Sequence, residues 1–469
     1  MKLSELQDQS VLILGLGEEG RSSLRYLRAA FPEKAFGVAD QLPLEKLSEK
    51  TQELLRQDPR LQLHLGPGYL SSCAAYDVIV KSPGIPVIVP EYKAAVRAGK
   101  IITSQTALFF DNFPGMAIGI TGTKGKSTTA SLIHDILKRT FPDTHLAGNI
   151  GVPALDLLPQ IGPQSKVVYE LSSHQLEGLR QSPHIAVLLN IVPEHLDYYE
   201  SFDQYVEAKA NITRFQSAQD FLVYDADHEI PRRIAASSQA RKVPCSLKTP
   251  QHLGCFLTDD WLVHLRPRQG PGFKFEPTIL VREVPLLGKF NLSNVAAAIA
   301  VGGILDVPTD DIAEAVRHFQ PLEHRLELVG IYSGITWYND SIATVPEAAV
   351  AALDTLTFVE TLLLGGMDRG LDFSGLAKEL LESDVKTLIL FPTTGARIWQ
   401  AVCEQDANAA SRIQHFFVES MEEAVKLARE HTSPGMICLL SPASPSFGLF
   451  RDYRERGALF KRFVQAPNA

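Results

Sequence analysis

The chain has 469 residues, 45% hydrophobic and 21% charged, and its net charge of −9 is spread along its length. It can build several cores, about three domains by length, and it carries neither the basic block of a nucleic-acid binder nor an apolar run that could cross a bilayer. No apolar signal core follows Met1-Lys2-Leu3-Ser4-Glu5, and the five cysteines (Cys73, Cys245, Cys255, Cys403, Cys438) form no C-x-x-C pair, as expected of a protein in a reducing cytoplasm.

The first segment opens on an apolar strand, Val11-Leu12-Ile13-Leu14, which runs into Gly15-Leu16-Gly17-Glu18-Glu19-Gly20. A helix is predicted over Arg21 to Ala30, its start suited to a diphosphate. The next strand, Phe36 to Ala39, ends at Asp40, spaced from the glycines as an acidic residue that reaches a ribose or base edge. A lone G-x-G-x-x-G does not single out NAD, because such a loop cradles the phosphates of any nucleotide-like ligand. Farther on, Asp77 to Ile85 is a strand ending in the tight turn Ser82-Pro83-Gly84. That turn is either a ligand-facing edge or an ordinary structural one.

The second segment begins near Asp111, where Asn112-Phe113-Pro114-Gly115 reads as a linker. A buried strand, Met116 to Ile120, leads into Thr121-Gly122-Thr123-Lys124-Gly125-Lys126-Ser127-Thr128, and a helix is predicted over Ser127 to Leu137. Glycines let the backbone approach phosphate oxygens, and the helix start adds free N–H groups and the positive dipole end. Lys126 can reach the outer phosphates of a nucleoside triphosphate, and the Ser127 hydroxyl suits a bound Mg²⁺. The spacing departs from G-x-x-x-x-G-K-[ST], since Ile120 stands where the first glycine would be. The order of strand, glycines, Lys-Ser-Thr and helix carries the assignment.

Two further buried strands are predicted, Val167 to Leu171 and Ile185 to Leu189, with polar residues just past their carboxyl ends. Glu170 places a carboxylate beside an apolar run, which is costly unless a Mg²⁺ on the triphosphate or a core cation pairs with it. His195, between Asn190 and Asp197, suggests a metal or substrate role over that of a surface histidine. Residues 240–285 look irregular and strand-rich and carry no evident chemistry.

The third segment, from about Pro321, alternates strands (Thr336 to Tyr338, Thr361 to Leu364, Thr387 to Leu390, Met436 to Leu440) with helices at Val345 to Leu353, Phe373 to Leu381 and Met421 to Glu430. This predicts another doubly wound sheet. Its strand ends carry Asn339-Asp340-Ser341, Gly365-Gly366-Met367-Asp368-Arg369-Gly370 and Ser441-Pro442-Ala443-Ser444-Pro445-Ser446.

Taken together and in order, the chain resembles the Mur ligases, ATP-dependent enzymes that add amino acids to the peptide stem of peptidoglycan. The motifs are Thr121 to Thr128, Gly148-Asn149-Ile150-Gly151, Glu170-Leu171-Ser172-Ser173, Asn190 through Glu194-His195-Leu196-Asp197, Tyr205 to Lys209 and Gly288 to Asn294. His324-Arg325, Asn339-Asp340-Ser341 and Leu439 to Ala443 complete them. Glu170 to Leu176, Gly365 to Phe373 and the first glycine loop are most similar to the glutamate-adding branch. The resemblance implies an α/β protein of three domains. Residues 1–112 would be a Rossmann-like domain for a UDP substrate, 113–320 a central P-loop-type ATP domain, and 321–469 a Rossmann-like domain closing on ATP and amino acid. It implies a cytoplasmic monomer acting on UDP-N-acetylmuramoyl-L-alanine, glutamate and ATP, through an acyl phosphate.

The resemblance also implies roles for residues. Gly122, Thr123, Lys124, Gly125, Lys126, Ser127, Thr128, Asn291, Asn294, Arg325 and Asp340, with His324, would serve ATP. Gly17, Glu18, Asp40, Ser82, Gly84, Asn149, Ser172 and Gln175 would serve the UDP substrate. Two Mg²⁺ would be held by Ser127, Glu170, His195 and Lys209, the last as a carbamate formed with CO₂. Thr344, Arg369, Ser446, Phe447 and Tyr453 would meet the amino acid, and Lys126, Glu170, His195 and Lys209 form the catalytic group. Two departures stand out: Ile342 occupies the place of a lysine that follows Asp-Ser in many members, and Arg369 stands where many have lysine. D-glutamate is the more frequent substrate of such enzymes, with L-glutamate the rival. An NAD-dependent oxidoreductase fused to an ATPase would account for the Gly15-Gly17-Gly20 loop. It lacks a glycine fingerprint in the third segment and an acid/base pair for hydride transfer. A nucleotide sensor would leave the Mg²⁺ and carboxylate set unexplained.

Overall fold

The computed structural model describes residues 1–194, 198–250, 252–267 and 273–466. Three sheets lie among them. The first contains β1 (Val11–Leu14), β2 (Phe36–Asp40), β3 (Leu61–Leu65), β4 (Val78–Lys81) and β5 (Ile101–Thr103), in the order β3-β2-β1-β4-β5 and all parallel. Strands buried on both faces are continuous apolar runs, and β1 and β4 are buried throughout.

The second sheet is built on β6 (Met116–Thr121), β7 (Thr144–Gly148), β8 (Lys166–Glu170), β9 (Ile185–Leu188), β10 (Phe221–Asp225) and β11 (Arg241–Ser246). It is extended by β12 (Gly254–Thr258), β13 (Trp261–Pro267) and β14 (Phe273–Leu280), in the order β14-β13-β12-β11-β10-β9-β6-β8-β7. The part from β7 to β12 is parallel, and β13 and β14 add an antiparallel margin. β6 therefore lies between β8 and β9, and the chain ends that follow these three strands share one edge.

The third sheet contains β15 (Glu327–Tyr332), β16 (Ile335–Asn339), β17 (Val359–Gly365), β18 (Thr387–Phe391), β19 (Gln414–Phe417) and β20 (Ile437–Leu440), ordered β15-β16-β20-β17-β18-β19. Only β15 is antiparallel to its neighbour within this sheet.

Contacts divide the chain into two compact units, one of Met1–Val284 with Leu292–His318 and one of Pro285–Asn291 with Phe319–Ala469. The first two sheets thus belong to one unit and share an apolar cluster that includes Leu24, Phe109, Tyr169 and Leu176. Polar ties reinforce it: Ser22 Oγ donates to Asp156 at 2.9 Å, and Arg25 pairs with the same carboxylate at 2.6 Å.

Helix ends are where sequence and structure part. The first helix runs Glu18–Ala30 and not from Arg21, with Gly17 as its N-cap and Glu18 and Glu19 in its first turn, where acidic side chains suit the positive dipole end. The phosphate-loop helix starts at Lys126 and reaches Thr140. The helices Thr394–Gln405 and Tyr453–Gln465 and the strands β15 and β19 were not predicted.

The Gly15–Gly20 turn is closed by direct backbone approach: a Cβ on Gly20 would lie 1.8 Å from the Gly15 carbonyl oxygen. Gly20→Ala should therefore destabilise the first unit by about 1–3 kcal/mol through overpacking, seen as a lower urea midpoint; an unchanged midpoint would contradict this packing.

Candidate active site

The centre of the site is the turn after β6. Gly122 and Gly125 have φ of +158° and +85°, and a Cβ on Gly125 would lie 2.2 Å from Asn294 Oδ1. Only glycine fits there. Gly125 caps the helix Lys126–Thr140 without a side-chain bond, so first-turn amides are left for a ligand. Lys126 Nζ donates to the Thr123 carbonyl at 2.8 Å. Thr123 is fixed by its amide on Asn190 O (2.8 Å) and by its hydroxyl, which meets Tyr205 Oη at 3.0 Å. Lys124 pairs with Glu194 at 2.6 Å. The Thr128 hydroxyl is buried and has no hydrogen-bond partner.

Glu170 ends β8 beside Ile120 of β6 and is 1% exposed. Its Oε1 is 3.5 Å from Asn149 Nδ2, and its Oε2 is buried with no partner. A carboxylate oxygen left unsatisfied in the interior is costly unless a cation joins it. The donors at this turn, the Glu170 carboxylate and the Ser127 hydroxyl, are hard oxygens that fit Mg²⁺. Such an ion takes one or two carboxylates and completes its shell with phosphates and water. That composition agrees with the described residues, among which no group of three or more His, Cys, Asp or Glu gathers. His195, with Leu196 and Asp197, lies outside the described residues.

Lys209, on the helix Phe202–Arg214, is buried beneath the turn. Its Nζ donates to Gly122 O at 2.8 Å and lies 4.7 Å from the Tyr205 ring centroid. Burial, and secondarily the Lys126 charge, push its amine well below the usual lysine range. The side chain is fully enclosed, unlike an ordinary solvated lysine on a helix.

The first glycine loop stands in the same unit. Ser82 Oγ donates to Gly15 O at 2.9 Å, and Asp40 accepts from the amides of Leu16 (2.7 Å) and Leu42 (2.9 Å). Asp40 thus holds the loop itself. Gly17 and Gly84 both face open space. Ser172 and Gln175 form a capping box, and Gln175 Nε2 reaches back across the sheets to donate to Glu19 Oε1 at 2.5 Å. Asn149, Glu170, Ser172 and Gln175 therefore share one sheet edge with Gly122–Ser127.

In the second unit, Asp340 accepts from Ser441 Oγ (2.9 Å) and the Leu326 amide (3.2 Å), and burial pushes its carboxyl up to about 7 against these bonds and against Arg325 and Arg456. His324 is buried, with Nδ1 2.9 Å from Asn339 Nδ2. Asn291 donates to Leu287 O at 2.6 Å and sits one turn before Asn294 on the helix Lys289–Ile304. The guanidinium of Arg369 lies 6.0 Å from the half-exposed Phe447 ring. Ser446 is buried, while Thr344 and Tyr453 are half-buried; the Tyr453 carbonyl accepts from Ser341 Oγ at 2.8 Å. Ile342 is half-buried, and its amide donates to His324 O at 3.1 Å.

Two residues of these surroundings were missed. Arg456 is 0% exposed and ties three strand-end loops together, donating to Ser341 O (2.8 Å), Ser341 Oγ (3.1 Å), Ser444 O (3.0 Å) and Gly365 O (3.5 Å). Its signal was a charge at the i position of an i, i+4, i+8 apolar face completed by Phe460 and Val464. Glu19 was passed over as one more acidic residue of the glycine loop.

Family models match most of the chain: a Mur ligase MurD-like N-terminal domain over residues 9–104, a Mur ligase middle domain over 120–302, and a Mur ligase, glutamate ligase domain over 324–444. A UDP-N-acetylmuramoylalanine--D-glutamate ligase of Symbiobacterium thermophilum is 38% identical over 98% of this chain and 99% of its own. The chain belongs to the Mur ligase family. It is an ATP-dependent, amide-bond-forming ligase. An enzyme of the same name from Acetivibrio thermocellus is 35% identical over 99% of this chain and 98% of its own. The fold also matches a UDP-N-acetylmuramate-alanine ligase of Thermotoga maritima, with a TM-score of 0.59 at 18% identity over 97% of this chain and 98% of that one. It matches the MurF ligase of the same organism, solved with ADP, at 0.54 and 15% identity over 99% and 96%. At these identities the likeness is one of fold.

As a Mur ligase, the enzyme should need Lys126 for turnover and not for folding, since the amine bonds the Thr123 carbonyl of its own turn and is expected to reach the phosphates. Lys126→Ala should lower kcat by roughly two or more orders of magnitude with an unchanged unfolding curve, measured by phosphate release. Normal turnover would remove the turn from the reaction.

Proposed function

We propose that this enzyme joins D-glutamate to UDP-N-acetylmuramoyl-L-alanine in peptidoglycan precursor synthesis, in the cytoplasm. The observation that carries this reading is the shared sheet edge. A triphosphate turn with an unpartnered Glu170 oxygen lies in one compact unit with a second glycine loop suited to a diphosphate. The full-length similarity to enzymes named for that reaction supports it.

A carboxylate does not react with an amine at neutral pH, so it must first be activated. In the proposed sequence an oxygen of the alanyl carboxylate attacks the γ-phosphorus of ATP. The P–O bond to ADP breaks and an acyl phosphate forms. The glutamate amine then adds to the carbonyl carbon, and collapse of the tetrahedral adduct expels inorganic phosphate and leaves the amide. Positioning and charge neutralisation dominate such transfers. Lys126 and the first-turn amides would hold the triphosphate, with Gly122, Thr123, Lys124, Gly125 and Thr128 shaping the turn and Asn291, Asn294, Arg325 and Asp340 serving the nucleotide.

Ser127 and Glu170 would hold one Mg²⁺, and His195 with Lys209 a second; these ions supply neutralisation of phosphate charge. Lys209 suits its part as a carbamate, because only a neutral amine attacks CO₂, and burial favours the neutral form of this amine. The new N–C bond forms with loss of one proton and turns a neutral amine into an anion. In the third segment Arg369, Ser446, Thr344, Phe447 and Tyr453 would receive glutamate. Arg369, as a planar fork, would take a carboxylate in the place left by Ile342.

Phosphate release from ATP should require both the UDP-muramoyl-alanine acceptor and D-glutamate; a clear preference for L-glutamate would move the enzyme to an L-specific reading. Lys209→Ala should be nearly inactive and should recover part of its rate with added acetate or propionate. Absence of rescue, with an unmodified Lys209 in intact-mass and substrate-complex density, would leave Lys209 as a structural residue.

A further inference from the structure

Glu19 sits in the first turn of the helix Glu18–Ala30, beside an N-cap, Gly17, that offers no side-chain bond and faces open space. One of its carboxyl oxygens is spoken for. Gln175 is oriented by the Ser172 amide, which donates to Gln175 Oε1 at 2.8 Å, so its NH₂ group must face Glu19. It donates to Glu19 Oε1 at 2.5 Å. Glu19 Oε2 is buried and has no partner. Since Oε1 is compelled to accept, the proton of a neutral Glu19 belongs on Oε2. A buried hydroxyl donor of this kind lacks only an acceptor.

The surrounding charges bear on its ionisation. Lys81 at the end of β4 favours the carboxylate, and Glu18 on the same turn opposes it. Tyr169 of β8 lies within electrostatic reach, and the Gln105 amide donates to the Glu19 carbonyl at 3.2 Å. His174 and Glu177 flank Gln175 on the neighbouring turn, and Asp156 is engaged by Ser22 and Arg25 of the same helix. Burial outweighs the attractions and lifts the Glu19 carboxyl to about 7.

We infer that Glu19 is an acceptor-binding residue that works as a neutral acid, its Oε2–H donating to a diphosphate oxygen at the amide end of the helix while Gln175 holds Oε1. An ionised Glu19 would repel that phosphate. The nucleotide therefore binds together with a proton drawn from solvent. The inference rests on the acceptor reading above.

The sign follows from linkage. Below the free-state value Glu19 is already protonated and affinity is independent of pH. Above about 7, affinity for UDP and for UDP-N-acetylmuramoyl-L-alanine should fall by up to about tenfold per pH unit. Titration calorimetry of the full chain at pH 8, in two buffers of different ionisation enthalpy, should show uptake of close to one proton per ligand for both molecules. Glu19→Gln retains a donor and an acceptor in the same place, so it should bind both without this uptake and with little pH dependence. Uptake that persists in Glu19→Gln would overturn the inference. So would wild-type affinity that is flat from pH 6 to 9, a readout that does not depend on the variant folding. Saturable binding without uptake removes only the role of Glu19. No binding of either uridine ligand at any pH would remove the acceptor reading, and the inference with it.

Discussion

The backbone turn from Gly122 to Lys126 is braced by two lysine amines, Lys209 on Gly122 O and Lys126 on Thr123 O. Much of the site follows from that pair of bonds. Burial, and secondarily the Lys126 charge, drive Lys209 toward its neutral form. Gly125 caps the helix that follows the turn. Replacing either glycine would push a Cβ into Leu189 or Asn294, so the turn has no freedom to relax. Glu170 and Asn149 enter from adjacent strands because β6, β7 and β8 are parallel neighbours, which brings their carboxyl ends together.

The parallel strands and the order of motifs were legible in the sequence. Strands such as β1, β4, β6, β9 and β17 are buried on both sides, so they appear as unbroken apolar runs whatever surrounds them. Strand β15 was not legible, because it is an edge strand with alternating, largely accessible residues and a register shift near Gly330. The helix Tyr453–Gln465 was obscured by Arg456, a charge on its buried face that makes sense only once the carbonyls of Ser341, Gly365 and Ser444 and a serine hydroxyl are brought around it. The start of the first helix was misplaced for a different reason. Its first two residues are glutamates, which in sequence read as part of a loop and in structure are a favourable first turn.

The candidate residues were legible as types and not as states. Sequence places Lys209 on a helix and Glu170 beside an apolar run. It cannot say that the lysine is enclosed, or that one glutamate oxygen is left without a donor. Both are properties of packing between elements distant in the chain. The same holds for Glu19 and Gln175, 156 positions apart, whose hydrogen bond links the first glycine loop to the turn that follows β8. In the third segment, Asp340 and Arg456 temper one another's burial, which leaves the carboxyl near 7 and the guanidinium near 9. Ile342 is thus set in a loop that the buried Arg456 guanidinium holds through Ser341 O.

The central claim is that the acceptor carboxylate is activated by phosphoryl transfer before the amine attacks. Isotope transfer tests this directly. With the alanyl carboxylate of the acceptor labelled in both oxygens with heavy oxygen, one labelled oxygen should appear in the released inorganic phosphate and one should remain in the new amide carbonyl. Mass spectrometry of the phosphate reads the outcome in a single turnover experiment. Unlabelled phosphate accompanied by amide product would show that ATP is cleaved without passing its phosphoryl group to the carboxylate, and would contradict the account.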